Sequence, residues 1–163
     1  MKNPIVIDDG GMDLSFRQLL NRYLCKTIVA YYKFRGYDIG NNCRISRSAI
    51  LDRVHHKGIH IGNNTRVLME AIILSHDFSR ATLEGQNMWC DTRIGNNCVI
   101  GGRVMIMPGI TIGNHVYVGG GAVVTHDVPD HCMVAGNPAR IIRRGVIISD
   151  RGQILERGEK VKQ

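Results

Sequence analysis

The chain has 163 residues, the length of a single domain with enough material for a hydrophobic core. Lysine and arginine outnumber aspartate and glutamate by 21 to 14, which favours an anionic partner such as a phosphate-bearing ligand, a nucleic acid or a membrane surface. Only 6% of the residues are aromatic and no nucleic-acid-binding motif is present, so we expect no nucleic acid as a partner.

The first element predicted along the chain is an α-helix over residues 12–35, with Asp13 or Ser15 as its cap. Apolar residues recur there at helical spacing: Phe16, Leu19, Leu20, Tyr23, Leu24 and Ile28. Because the segment is also rich in arginine and lysine, it fits a helix that lies on a membrane surface. It also fits a helix whose apolar face packs on its own protein. The second interpretation is the more common case and we favour it, keeping peripheral membrane association open.

A six-residue repeat follows the helix. Aliphatic residues stand six apart in three registers: Ile39, Ile45, Leu51; Ile61, Val67, Ile73; and Ile94, Ile100, Ile106, Ile112, Val118, Val124. A second set of small or branched residues runs four positions behind them, and glycine often follows the aliphatic residue. This period belongs neither to a helix nor to a flat strand, and it predicts a parallel β-helix over residues 39–129.

The repeat also predicts the shape of that β-helix. Six residues form one short strand and one corner, so three sides make a coil of 18 residues, such as 94–111. Successive coils stack as parallel strands about 4.8 Å apart. The corners need a positive φ, which glycine and asparagine tolerate best, and Gly-Asn-Asn occurs at Gly40, Gly62 and Gly95.

Two breaks in register predict insertions. Leu51 and Ile61 are 10 residues apart, and Ile73 and Ile94 are 21 apart. Interruptions of a solenoid usually become loops on one face, and the longer one is expected over residues 77–93. After Val128 the repeat ends, and residues 130–163 are expected to form a C-terminal extension with two short strands. The whole chain is read as one domain.

The five cysteines are odd in number and show no C-x-x-C spacing, so no disulfide framework is predicted. Cys43 and Cys98 fall on the inward positions of the repeat, where a thiol acts as a small apolar filler. No apolar stretch has the length of a membrane span, and the first residues lack a signal-peptide pattern. We therefore expect a cytoplasmic protein.

His76 is the first candidate for chemistry. It stands just after Ile73 and opens the longer insertion, and a loop that leaves a rigid strand is a common place for function. An imidazole can take a proton from an alcohol or an amine near neutral pH.

The motif from Ser75-His76-Asp77 through the loop to "IGNNCVIGGRVMIMPGITIGNHVYVGGGAVVTHDVPDHCMVAGNPARIIR" resembles the hexapeptide acyltransferases. It is most similar to the maltose and galactoside O-acetyltransferase branch and to related polysaccharide O-acetyltransferases. The resemblance implies a left-handed β-helix, a homotrimer with active sites between chains, and acetyl transfer from acetyl-CoA, without a metal, to a hydroxyl of a sugar or surface-polysaccharide precursor.

The resemblance also assigns residues. His76 would be the general base, and the backbone N–H of Gly102 would stabilise the oxyanion. The residues matching acetyl-CoA contacts are Gly102, Gly120, Thr125, Arg140 and Arg143, and the two arginines suit the phosphates of CoA. Asp52 aligns with a residue that binds the acceptor substrate. Asp77 is left out of the catalytic set because a residue adjacent to His76 usually points elsewhere.

Three alternatives stay open. A carbonic-anhydrase-like metal enzyme would use His126 and His131, which are five positions apart, but no third histidine aligns and a zinc site needs three protein ligands. An N-acetyltransferase would act on an amino sugar. A solenoid scaffold without catalysis would leave the combination of His76, the long loop and the GNPAR segment unexplained.

Overall fold

A computed structural model describes residues 14–82 and 87–161, in which short parallel strands build a three-sided prism. Face A consists of β1 (Asp38–Ile39), β4 (Ile59–Ile61), β7 (Thr92–Ile94) and β10 (Thr111–Ile112). Face B begins with β2 (Arg44–Ile45), β5 (Arg66–Val67), β8 (Val99–Ile100) and β11 (Tyr117–Val118). Face C consists of β3 (Ile50–Leu51), β6 (Ile72–Ile73), β9 (Met105–Ile106) and β12 (Val123–Val124).

The strand register confirms the predicted β-helix. Ile94 pairs with Ile112, 18 residues later, whereas Ile39 pairs with Ile61 and Ile61 with Ile94 across the two longer coils. The aliphatic position of each repeat points into the prism and is buried. Each fully buried isoleucine or valine contributes roughly 1.5–3 kcal/mol, so the ladders of these side chains are the main source of stability.

The corners follow the chain from face A to B (first corner), B to C (second corner) and C to A (third corner). At the first corner the structure corrects the expectation for glycine. The residues with positive φ there are not glycines: Asn42, Asn64, Asn97, His115 and His131, at 53°, 58°, 53°, 53° and 58°. Gly95 is needed for a different reason: a Cβ there would lie 2.6 Å from the carbonyl oxygen of Gly113 in the next coil. Glycine therefore allows the coils to approach closely.

The two insertions both lie at the third corner, one above the other. The first, after β3, contains a 3₁₀ turn at His56–Gly58, and the second, after β6, contains a 3₁₀ turn at Phe78–Thr82. β7 already begins at Thr92, so the longer loop ends slightly before the predicted residue 93. This stacking places residues from two distant segments beside each other.

The predicted N-terminal helix is present as α1 (Leu14–Phe34), and no helix in the described segments is long and apolar enough to cross a membrane. Ile28, Val29 and Tyr32 pack against the prism core. This confirms the expectation that one apolar face of the helix packs on its own protein. The helix contacts β1 and β2, so it closes the end of the prism at the first coil.

The C-terminal residues extend face B. β13 (Cys132–Ala135) adds a parallel strand next to β11, and β14 (Arg140–Ile148) and β15 (Ile154–Lys160) follow as an antiparallel hairpin. The last strand extends to Lys160, which pairs with Arg143. Val146 and Ile148 pack with Val99 in a second small core on the outside of face B.

The five cysteines are free thiols. Cys43 and Cys98 are buried in the prism, as expected for apolar fillers. Burial raises the pKa of Cys98 to about 12, so this side chain stays a neutral thiol.

Candidate active site

The third corner carries His76 in a fixed orientation. Its ring Nδ1 contacts the carboxylate Oδ2 of Asp52, which lies one coil earlier. The edge of the ring also meets the ring of Phe78 at a centroid distance of 5.0 Å. The His76 side chain is 16% exposed and the Asp52 side chain 1%. Because Nδ1 faces the carboxylate, the neutral ring carries its proton on Nδ1 and leaves the Nε2 lone pair free to accept another.

Asp52 is held ionised by its surroundings. Burial by itself raises its pKa, but hydrogen bonds from the Ser75 N–H and the His76 ring, and from the N–H groups of Val54 and His55, outweigh burial and lower the pKa to about 2. The Ser75 N–H donates to Oδ2 over 2.8 Å and the Val54 N–H donates to Oδ1 over 2.8 Å. A buried, ionised carboxylate beside Nδ1 both orients the imidazole and stabilises its protonated form.

These contacts correct the role expected for Asp52. The sequence resemblance assigns it to binding of the acceptor substrate, but its side chain is almost entirely buried and both carboxylate oxygens already have donors within the protein. The carboxylate of Asp77 accepts hydrogen bonds from Ser79 and pairs with Arg80, both within its own loop.

An aromatic surface formed by Trp89 and His55 lies next to His76, and we call it the aromatic wall. Trp89 forms a backbone bridge with His76 across the long loop, and its indole is 43% exposed. The indole packs on the ring of His55, with centroids 5.0 Å apart and planes tilted by 40°. His55 in turn lies 3.3 Å from Asp91. Sequence reasoning did not identify His55 or Asp91, because their proximity to His76 depends on the stacking of the two insertions.

Gly102 and Gly120 lie together at the second corner. A Cβ on Gly120 would lie 3.2 Å from the carbonyl oxygen of Gly102, which accepts a hydrogen bond from the Gly121 N–H. Among the residues that the structure describes, neither the Gly102 N–H nor the Gly120 N–H has an acceptor. Two free backbone donors on a surface without side chains can bind a carbonyl oxygen of a ligand.

The structure does not bring Gly102 and His76 together within one chain. Gly102 precedes β9 and His76 follows β6, so they lie at opposite edges of face C. The width of that face is on the order of 15 Å at about 3.3 Å per residue. One molecule alone therefore does not combine the predicted base with the predicted oxyanion donor.

The remaining predicted contacts lie at the far end of the prism. Thr125 is at the third corner, where its hydroxyl lies 2.8 Å from Nδ1 of His126. Arg140 lines the same groove as His126, between the last coil and the hairpin. Arg143 lies further along β14, opposite Lys160, and its Nη1 donates to the Gly158 carbonyl over 3.0 Å.

The histidines of the metal alternative are separated. His126 is exposed at the third corner, whereas His131 lies at the first corner and stacks on His115 with centroids 5.0 Å apart. Within residues 14–82 and 87–161, no three histidine, cysteine or acidic side chains are grouped to hold a metal ion.

A three-sided prism of hexapeptide coils is the fold of the left-handed β-helix proteins. Residues 91–126 match the family described as bacterial transferase hexapeptide, six repeats. In this segment the chain is similar to bacterial transferases with hexapeptide repeats, and it shares its fold with a maltose O-acetyltransferase of Clostridium difficile 630.

Two solved structures and one curated relative illustrate the similarity. The galactoside O-acetyltransferase of Escherichia coli K12 is 48% identical over 58 residues, which are 36% of this chain and 27% of that protein. The polySia-specific acetyltransferase NeuO is 30% identical and has a TM-score of 0.59, with 68% of this chain and 52% of that chain covered. A hexapeptide-repeat acetyltransferase of Vibrio cholerae, solved in complex with acetyl-CoA, shares the fold at 21% identity and a TM-score of 0.50, over 83% and 80% of the chains.

The match spans only 26–31% of the length of such curated relatives. The family match at residues 91–126 includes Gly102 at the second corner and Thr125 at the third corner. His76 lies before this match.

Proposed function

We propose that this protein transfers an acetyl group from acetyl-CoA to a hydroxyl of a sugar or surface-polysaccharide precursor, with His76 as the general base. The observation that carries this proposal is the pairing of His76 with buried, ionised Asp52 at an open corner of the prism. The free thiols agree with a reducing, cytoplasmic compartment.

The chemistry follows from the free Nε2 of His76. This nitrogen takes the proton of the acceptor hydroxyl as the oxygen attacks the thioester carbonyl. The tetrahedral intermediate then collapses, the carbon–sulfur bond breaks, and the thiolate of CoA receives the proton from His76. Asp52 favours the imidazolium formed between these steps, which lowers the barrier by stabilising charge that develops during the reaction.

The oxyanion needs a donor from outside the His76 corner. The unpaired N–H of Gly102 is suitable in chemistry, yet it lies across face C from His76 in the same chain. A homotrimer in which the third corner of one chain meets the second corner of its neighbour would bring the two groups together. Exposed apolar side chains support such a contact: Phe78 and Trp89 beside His76, and Leu68 and Met69 beside Gly102.

Acetyl-CoA fits the second corner and the far end of the prism. Gly102 and Gly120 present open backbone to which a pantetheine arm can hydrogen-bond. Thr125 and Arg140 lie at the far end of the prism, near the last coil. Arg140 and Arg143, with Lys160 beside the latter, supply positive charge for the phosphates.

A carbohydrate acceptor fits the wall beside His76. The exposed indole of Trp89 offers an apolar surface for a sugar ring, and His55 and Asp91 offer polar groups for its hydroxyls. An amino sugar would fit the same wall, so an acceptor screen must include amines.

The proposal is tested by following free thiol release from acetyl-CoA with sugars, oligosaccharides, amino sugars and serine as acceptors. We expect turnover with a carbohydrate hydroxyl, and a loss of about 10²–10⁴-fold in rate for His76→Ala with an unchanged thermal transition. Near-normal turnover by that variant would show that His76 is not the base. Loss of activity with a chelator and recovery with zinc would favour the metal enzyme instead.

A further inference from the structure

A second apolar surface runs along the outside of α1. Four side chains on this side are exposed: Leu20 by 47%, Tyr23 by 66%, Tyr31 by 54% and Phe34 by 89%. At 3.6 residues per turn these positions fall on one narrow stripe, opposite the face on which Val29 packs into the core. We call these four residues the outer stripe.

Every charged residue of the helix that carries the outer stripe is a cation. The sequence from Leu14 to Phe34 contains no aspartate or glutamate, and it includes exposed Lys26 and Lys33. Arg35 follows directly, and its guanidinium donates to the Tyr31 hydroxyl over 3.0 Å. A partner that covered this face would therefore need an apolar layer flanked by negative charge.

A groove beside the helix is also positively charged. It runs between α1 and the first corner, and its lining includes Lys26, Lys33 and Arg44 together with the Asn41–Asn42 segment. No acidic side chain is among the residues that line this groove. It is therefore suited to hold a phosphate group next to the outer stripe.

We propose that α1 is a membrane-docking helix that lies on an anionic lipid surface. The outer stripe would enter the boundary between headgroups and acyl chains, and Lys26, Lys33 and Arg44 would contact the lipid phosphates. A bilayer surface supplies both requirements at once, an apolar layer and a sheet of negative charge. Tyrosine suits this boundary, because an aromatic ring with a polar tip prefers it to either bulk phase, and phenylalanine adds apolar area that can enter the acyl chains.

Docking through α1 leaves the groove proposed for CoA free. The helix covers the end of the prism at the first coil and contacts β1 and β2, whereas the groove that contains Arg140 lies at the last coil. The proposed membrane contact therefore does not use the groove proposed for CoA, and soluble acceptors should react equally well with protein that does not bind lipid.

The test is flotation of the purified protein with vesicles of phosphatidylcholine alone or with about one third phosphatidylglycerol. We expect binding to the anionic vesicles that weakens as salt is raised. The double variant Lys26→Glu/Lys33→Glu should lower the partition coefficient by at least about 10-fold, since each cation near such a surface contributes about 1 kcal/mol. The double variant Tyr23→Ser/Phe34→Ser should lower it by a similar factor.

Matched controls lie on β15, where Arg157 is exposed and Leu155 is 64% exposed. Arg157→Glu and Leu155→Ser should float like the wild type, and all variants should keep the wild-type thermal transition. The proposal fails if the wild-type protein does not bind anionic vesicles at low salt, or if the α1 variants bind as well as the controls. If the protein ignores vesicles and Tyr23→Ser/Phe34→Ser lowers its molecular mass in light scattering, the outer stripe is a contact between copies of the chain.

Discussion

Asp52 lies against Nδ1 of His76 although 24 residues separate them in the chain. The contact exists because the two insertions leave the prism at the same corner in successive coils. Ser75 reinforces it from both sides: its N–H donates to Asp52 and its hydroxyl donates to the His55 carbonyl over 2.6 Å. The base and its orienting carboxylate are thus fixed by the rigid part of the molecule.

Replacing Asp52 should impair turnover more than binding. In Asp52→Asn the amide can donate to Nδ1, which favours the tautomer with its proton on Nε2 and removes the free lone pair. We expect kcat to fall by about 10²-fold or more while KM for acetyl-CoA changes little. Steady-state thiol release measures both constants. Asp77→Asn is the matched control, since Asp77 contacts Ser79 and Arg80 and should leave kcat within a few-fold of wild type.

The same carboxylate should make stability depend on pH. The pKa of Asp52 is about 2 in the folded protein against an ordinary value of 3.8, so its contribution is complete above pH 5 and is lost as the pH falls from about 5 to about 2. The free energy of unfolding should fall by about 2 kcal/mol over this range because of Asp52. Urea unfolding across this range should show that wild type loses more stability than Asp52→Asn. Parallel curves for the two proteins would mean that Asp52 titrates normally.

The sequence predicted the coils well and the corners less well. Ile94, Ile106 and Ile112 specify faces and register because a side chain every six residues must point inward, whatever the neighbours do. The pairing of Asp52 with His76 was not predictable in this way, because it depends on how two loops outside the repeat stack. Trp89 and His55 meet for the same reason.

The arginines at the far end of the prism should contribute to binding CoA. Arg140→Ala and Arg143→Ala should each lower the affinity for CoA. Where the guanidinium contacts the 3′-phosphate, the affinity for CoA should fall more than the affinity for dephospho-CoA. A charge-assisted hydrogen bond is worth roughly 1.5–3 kcal/mol. Isothermal titration calorimetry with both ligands measures the difference, and exposed Arg157→Ala is the control. Equal affinities for both ligands in every protein would remove the phosphate contact.

The aromatic wall should determine how the acceptor binds. Trp89→Ala removes the exposed indole next to His76, so KM for the carbohydrate should rise by about 10-fold, with a smaller change in KM for acetyl-CoA. Trp89→Phe keeps a ring and should recover much of the loss. The measurement is initial rates with the acceptor varied at saturating acetyl-CoA. A Trp89→Ala enzyme with unchanged acceptor KM would place the sugar elsewhere.

The separation of His76 from Gly102 predicts that inactive chains can complement each other. His76→Ala lacks the base. Gly102→Leu should obstruct the oxyanion donor, since even a Cβ at Gly102 would lie 3.3 Å from the Met69 carbonyl oxygen. Each variant alone should be inactive and trimeric. After mixed refolding in equal amounts, about one quarter of the interfaces in random trimers pair an intact His76 with an intact Gly102 from the neighbour.

Thiol release by the mixture should therefore reach about one quarter of the wild-type rate. The double variant on one chain, mixed with wild type, serves as the control for dilution. Light scattering must show that all proteins have the mass of a trimer before and after mixing. Restoration requires that the two groups come from different chains, because no chain in the mixture carries both. An active monomer, or a mixture as inactive as its components, would contradict a site shared between subunits.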